Sequence, residues 1–315
     1  ENGICTKCGS KEVSVKYKSH VQTYGDRPWV YDGESSGTEN ESKRMESIYI
    51  ELENATAEDS IQYKAHVQGI GWQDWVEDGE MAGTQLQSKR VEAIQIKLDG
   101  PIADKYDVYY RVHAQQFGWL DWAKNGEEAG TAGYGYRLEA FQVKLVKKGA
   151  EAPGDTENPF EEKLIEYSVH VQNYGDQGFA YDGMTAGTVG ESKRLEQIRI
   201  NLPTNDGKSS IKYKTHVQTY GWEDAWSADG QRSGTQGESK RLEAIQIKLE
   251  GDMAEKYDVY YCVHAQQFGW LGWAKNGESA GTAGYSYRLE GIKIMLVEKG
   301  ADAPAPVGSE TSAFK

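Results

Sequence analysis

The chain has six histidines, and each stands in the same local setting: His20, His66, His113, His170, His216 and His264. Repeated imidazoles invite a metal reading, because neutral His is a common ligand for zinc and other transition metals. Each lies in strand-like alternation with no Cys, Asp or second His at ligand spacing. The pattern therefore predicts structural histidines and no metal or other cofactor.

Downstream of each His an arginine stands two residues before a glutamate: Arg44 and Glu46, Arg90 and Glu92, Arg137 and Glu139, Arg194 and Glu196, Arg241 and Glu243, Arg288 and Glu290. Positions two apart on a strand share a face, so each pair is predicted to extend the core-facing row of Ile and Leu that follows it. A charge on that row is tolerated only when paired and hydrogen-bonded. Arg, Glu and the His of the same repeat are expected to form one polar network that locks the repeat.

Two aromatic positions separate the His from that pair. The second is occupied in every copy (Trp29, Trp75, Trp122, Phe179, Trp226, Trp273), as a core position would be. The first is Trp72, Trp119, Trp222 and Trp270 but becomes Asp26 and Asp176 in the other two copies. A site that accepts Asp is not deep core, because an unpaired buried carboxylate is costly. These four tryptophans are predicted to be exposed ligand contacts, widened by the preceding side chains Tyr24, Ile70, Phe117, Tyr174, Tyr220 and Phe268. The competing reading makes them seals between repeats.

Nothing points to catalysis. An active site needs different groups converging once, whereas every polar residue that stands out here does so six times. No nucleophile elbow, zinc-protease helix or phosphate-cradling loop occurs, and no carboxylate pair is distinguished. A net charge of −14 argues against nucleic acid, and no apolar run is long enough to span a bilayer. Cys5 and Cys8 form a lone C-x-x-C, half a zinc site at most, and Cys262 stands alone where the matching copy has Arg111.

The elements that position these residues repeat with them. In the second copy Ile61, Tyr63, Ala65 and Val67 alternate with polar residues, and so do Ile94, Ile96 and Leu98, which predicts two half-buried strands. Between them every copy has Asp-Gly or Asn-Gly (Asp78-Gly79 here), the signal of a tight hairpin. The third and sixth copies are nearly identical, so a triplet was duplicated, and the long gap between His113 and His170 marks the seam. Expected boundaries are 1–10 as the edge of an upstream region, 11–148 and 163–297 as domains, 149–162 as linker and 298–315 as tail, the whole a monomeric piece of a longer chain. A lone copy cannot bury its apolar face, so three are expected to close about a pseudo-threefold axis. The fold class is all-β: two tandem pseudo-threefold domains, β-trefoil-like, with a β-prism-like arrangement as the alternative.

The recurring H-[VA]-Q-x-x-G-W-x-x-W-x-x-[DN]-G-x-x-x-G-T, followed by K-R-[LMV]-E-[AS]-I-x-I-x-L, resembles the clostridial hydrophobic repeat with conserved tryptophan. The likeness covers all six copies. The first and fourth depart from it at Asp26 and Asp176, and the third and sixth have Tyr136-Arg137 and Tyr287-Arg288 in place of Lys-Arg. It implies a secreted or surface-displayed, non-catalytic protein of a Gram-positive anaerobe that binds polysaccharide or host protein. Three functions are weighed: an adhesin-like module for a glycan or host glycoprotein, a binder of a host protein such as immunoglobulin, or a structural spacer.

Overall fold

A computed structural model describes residues 12–203 and 207–315. Cys5 and Cys8 lie outside the described residues. Apart from a 3₁₀ turn at Pro101–Asp104 and a short helix at Asp252–Lys256, the regular elements are β-strands. The chain divides into unit 1, residues 1–162, and unit 2, residues 163–315.

Each repeat opens and closes on a long strand, and the two pair antiparallel. In the second repeat Ser60–Val67 runs against Val91–Asp99, with Ile61 opposite Leu98, Tyr63 opposite Ile96 and Ala65 opposite Ile94. Alternation holds as expected: Ile61, Tyr63, Ala65 and Val67 are fully buried while Gln62, Lys64 and His66 face outward.

The Asp-Gly turn does something other than close a hairpin. The two-residue strand before it, Val76–Glu77, pairs with the repeat's own opening strand. The strand after it, Ala82–Gly83, pairs with the closing strand Met45–Glu53 of the preceding repeat. The turn is a crossover between sheets, and the Gly79 N–H donates to Ile50 O of that preceding repeat (2.7 Å). Ala129–Ala132 joins Val91–Asp99 in the same way, and Ser36–Gly37 joins Leu138–Lys147, so the three sheets of unit 1 are linked in a cycle. Unit 2 repeats this with Ser233–Gly234 on Leu195–Asn201, Ala280–Gly281 on Leu242–Gly251, and Ala186–Gly187 on Leu289–Glu298. No sheet closes on itself. The crossing is tight: a Cβ on Gly83, whose φ is +110°, would lie 2.4 Å from Glu46 O.

The core of each unit gathers the buried rows of three repeats, and at its centre stand three fully buried tyrosines: Tyr17, Tyr63 and Tyr110 in unit 1, Tyr167, Tyr213 and Tyr261 in unit 2. Each hydroxyl donates to a backbone carbonyl just after its own repeat's turn, for example Tyr63 to Glu80 O and Tyr110 to Glu127 O. Tyr63 also accepts from Ile50 N–H of the repeat before it, and Tyr167 from Ile294 N–H (3.1 Å each). These bonds join neighbouring repeats across the core.

Residues 149–162, read from sequence as a linker, lie along the third repeat. Phe160–Glu162 adds a parallel strand beside Ala129–Ala132, and Trp122 N–H donates to Asp155 O (2.8 Å). The tail does the same on the sixth repeat: Phe314 bridges in parallel to Gly281, and Trp273 Nε1 donates to Ala305 O (3.0 Å).

Candidate functional site

The Arg–Glu pair is placed by a β-bulge. Val67 faces Val91 and His66 faces Ala93, so Glu92 is the extra residue between them. A bulge shifts alternation by one position. Val91 therefore joins the core with Ile94 and Ile96, and the Glu92 carboxylate comes to the His66 side of the sheet instead of extending the Ile row as parity predicted. Arg90 Nε and Nη2 both reach Glu92 Oε1, at 2.8 Å each. Glu92 Oε2 lies 3.2 Å from His66 Nδ1, near enough for attraction yet out of line for a hydrogen bond, so this buried ring nitrogen has no hydrogen-bond partner. His113, His170, His216 and His264 repeat the arrangement with Glu139, Glu196, Glu243 and Glu290, at 3.1 or 3.2 Å. Arg44, Arg137, Arg194, Arg241 and Arg288 hold their glutamates as Arg90 does.

The first repeat differs, and an Asp at the tryptophan position does not by itself account for it, since His170 in the repeat with Asp176 keeps the common arrangement. His20 Nδ1 turns to Asp26 Oδ1 (2.7 Å), leaving its Nε2 4.0 Å from Glu46 Oε2. Lys18 joins at 2.6 Å, and hydrogen bonds from Lys18 and His20 hold the Asp26 carboxyl below the usual range.

The four first-position tryptophans are half-buried on the outer faces of their sheets instead of standing in free loops. Trp72 pairs across the strands with His66, ring centroids 5.4 Å apart and edge-on. Lys64 Nζ sits 4.8 Å from the Trp72 ring and 5.1 Å from Trp75, whose other neighbour is Lys97 at 4.3 Å. In the third repeat Arg111 fills the same slot between Trp119 and Trp122. Lys214 does so between Trp222 and Trp226. In the sixth, Cys262 stands at that place and Lys293 lies over Trp270. An indole holding a cation packs its face on the methylene stem and keeps the charge wet.

The second-position aromatics are not the core. Trp29 and Trp75 are 37% exposed and Phe179 56%, whereas Trp122 is 6% exposed beneath the 149–162 segment. Four of them, Trp29, Trp75, Trp122 and Trp226, flank a cation on the sheet surface.

Most of the side chains before the glycine of the Gly-Trp or Gly-Asp pair lie at the surface. Tyr24, Ile70, Phe117, Tyr174 and Tyr220 are exposed. Tyr24, Tyr174 and Tyr220 each donate to a glutamate in the loop after the short strands (Glu41, Glu191, Glu238; 2.7 Å). Phe117 packs on Tyr134 and Tyr136, and Phe268, only half-buried, on Tyr285 and Tyr287.

Two hollows open at this end of unit 1. One, of about 200 Å³, is lined by a threefold set: Gln22, Gln68 and Gln115; Arg44, Arg90 and Arg137; Ser42, Ser88 and Gly135. The other, of about 440 Å³, lies between the first and third repeats and is lined by Asn40, Ser42, His113, Gln115, Gln116, Arg137 and Glu139. Ser42, Gln115 and Arg137 line both. Arg137 Nη1 donates to Gln115 Oε1 (2.9 Å), so the amide is held with its face to the cleft. Sequence reasoning gave Asn40 and Ser42 no role and did not place the glutamines in a cleft. The available signal was the Gln two residues after every His.

Among the described residues no cluster of His, Cys, Asp or Glu is placed to hold a metal, and no helix is long and apolar enough to cross a membrane. No curated protein and no solved structure matches the chain. The profile of the family described as Clostridial hydrophobic W matches six times, over residues 20–54, 66–100, 113–147, 170–203, 216–251 and 264–298. Each match opens on the histidine that faces the bulge glutamate, and the chain belongs to the Clostridial hydrophobic W family.

Proposed function

We propose that this chain is a non-catalytic extracellular module that binds carbohydrate, free or carried on a host glycoprotein, at the hollowed end of its three-repeat units. The observation that carries this reading is the 440 Å³ cleft between the first and third repeats. Its lining mixes donors and acceptors, with Glu139 on a strand and the rest on the loops beside it: Arg137 and Gln115 N–H groups, the Glu139 carboxylate, the Asn40 amide and the Ser42 hydroxyl. Sugar hydroxyls require that mixture, because each both donates and accepts. Phe117, exposed beside Gln116 on the same turn, offers a face for a pyranose ring.

Repetition supports binding over catalysis. Six like networks give several weak contacts, and linking them raises avidity without new chemistry. Three open sheets linked in a cycle within each unit favour a prism-like over a trefoil-like assignment. The family likeness supports secretion or surface display.

A glycan array probed with the whole chain, followed by capture of a host glycoprotein before and after enzymatic deglycosylation, tests the class of ligand. Binding lost on deglycosylation and competed by free sugar supports the reading. Undiminished capture of the deglycosylated protein would move the chain to protein recognition through the same exposed side chains. Binding to neither would leave a spacer.

A further inference from the structure

One backbone N–H is met by different groups in different repeats. In the four with a Gly-Trp pair the next residue decides how, whereas Gln177 of the fourth repeat turns to Tyr174 O and Gly175 O (3.5 and 3.2 Å). On the second short strand of each repeat a glycine points its N–H away from the sheet it joins. In the second repeat Gln73 takes it: Gly83 N–H donates to Gln73 Oε1 (2.6 Å) while Gln73 Nε2 donates to Gly83 O (3.1 Å). In the fifth Glu223 accepts from Gly234 N–H (2.8 Å). These two edges are closed by their own side chains.

The third and sixth repeats have Leu120 and Leu271 at that position, and leucine can accept nothing. There the chain supplies a main-chain acceptor instead. Gly130 N–H donates to Pro159 O (3.0 Å) and Gly281 N–H to Ala313 O (2.9 Å). Phe160 and Phe314 come next, each in parallel register with that glycine, and Gly281 O accepts from Lys315 N–H (3.0 Å). Two segments of different sequence, N-P-F-E and S-A-F-K, thus use one docking mode.

The first repeat has Arg27, which carries donors only and cannot close the edge. Its guanidinium lies over the Tyr24 ring instead (5.5 Å). Among the described residues no acceptor meets the Gly37 N–H. Gly37 is half-exposed where Gly130 and Gly281 are buried, and Trp29 is 37% exposed where Trp122, under its segment, is 6%. Unpaired edges recruit extended chains, with main-chain bonds giving affinity and side-chain pockets giving selectivity.

We propose that the Ser36–Gly37 edge of unit 1 takes an extended segment of a partner protein in this parallel mode, a small or proline residue followed by phenylalanine and a charged residue. The proposal does not rest on sugar binding in the neighbouring cleft.

The test uses the whole chain and a capped peptide of residues 309–315, SETSAFK, whose charges cancel. Saturable binding should shift the Gly37 amide resonance. Arg27→Glu, which copies the closure by Glu223, should weaken binding at least tenfold, while Arg27→Leu, which copies the docking repeats, should retain it. Equal binding to Arg27→Glu, shifts confined to Gly281, or no saturation at millimolar peptide would each overturn the proposal. Dimerisation of the chain that Arg27→Glu abolishes would make a second copy the occupant and overturn the choice of partner.

Discussion

Replacing Tyr63 by phenylalanine isolates the bond that joins repeats across the core of unit 1. The ring is fully buried, and its apolar contacts survive the change. What is lost is one oxygen that serves two backbone groups, donating to Glu80 O and accepting from Ile50 N–H at 3.1 Å. The Ile50 N–H is left in the buried interior, while Glu80 lies on an exposed turn where water can replace the hydroxyl. A buried polar group without a partner costs about 1–3 kcal/mol, and the loss of the Ile50 partner is expected to cost that much. That is a large share of the ~5–15 kcal/mol that holds a domain. Urea denaturation of the whole chain should show the unit 1 transition moving to lower urea with its slope unchanged, since the exposed area on unfolding is the same. Tyr24→Phe is the control: its hydroxyl meets Glu41 at the surface, and the change should cost within ~0.5 kcal/mol. A Tyr63→Phe loss below that control would refute the role given to the six tyrosines.

Other consequences can be measured on the same protein. The buried tyrosines have hydroxyl pKa values pushed up by burial, Tyr213 to about 12 and the others higher. The unfolded chain releases these protons near pH 10 while the folded chain keeps them, so stability is intact below pH 10 and falls as pH rises above it. At ~1.4 kcal/mol per pH unit per tyrosine, three in a unit cost ~4 kcal/mol per unit of pH, which far-UV dichroism followed from pH 9 to 12 would detect. Arg90→Ala removes both N–H groups from Glu92 Oε1 and should cost about 1.5–3 kcal/mol in a melt; an unchanged melting temperature would contradict the locking network. Cys262 is buried and its thiol is pushed up to about 12. It should resist iodoacetamide in native buffer and react once unit 2 unfolds, which mass spectrometry reads directly.

The long strands, their faces and the triplet arrangement were legible because alternation and the repeated histidine mark them. The bulge was not. Reading Glu92 by parity with Ile94 and Ile96 puts it on the core row, and only Val91, apolar on the opposite parity, hinted at the extra residue. The Asp-Gly dipeptide named a turn correctly but not which strands it joins, because pairing with the preceding repeat is a tertiary choice. Presence in every copy suggested a core role for Trp75, whereas cations on both sides of its ring fix it at the surface. Tyr63 and its equivalents went unremarked among alternating apolar residues, although a hydroxyl in that row must find partners. The docking of 149–162 was hidden because Pro, Gly and charge read the same in a free linker and in an extended strand.

The central claim, that sugar is held in the cleft between the first and third repeats, is tested most directly by calorimetric titration of the best array glycan into variants of that cleft. Asn40→Gly removes an amide at a residue whose φ of +60° glycine accepts freely, and Phe117→Ala removes the exposed ring. Both lie at the surface, so the fold should persist. Each is expected to weaken binding about fivefold to a hundredfold, the ~1–3 kcal/mol of one well-placed contact. Affinity equal to the unmodified chain in both variants would contradict the cleft as the binding site.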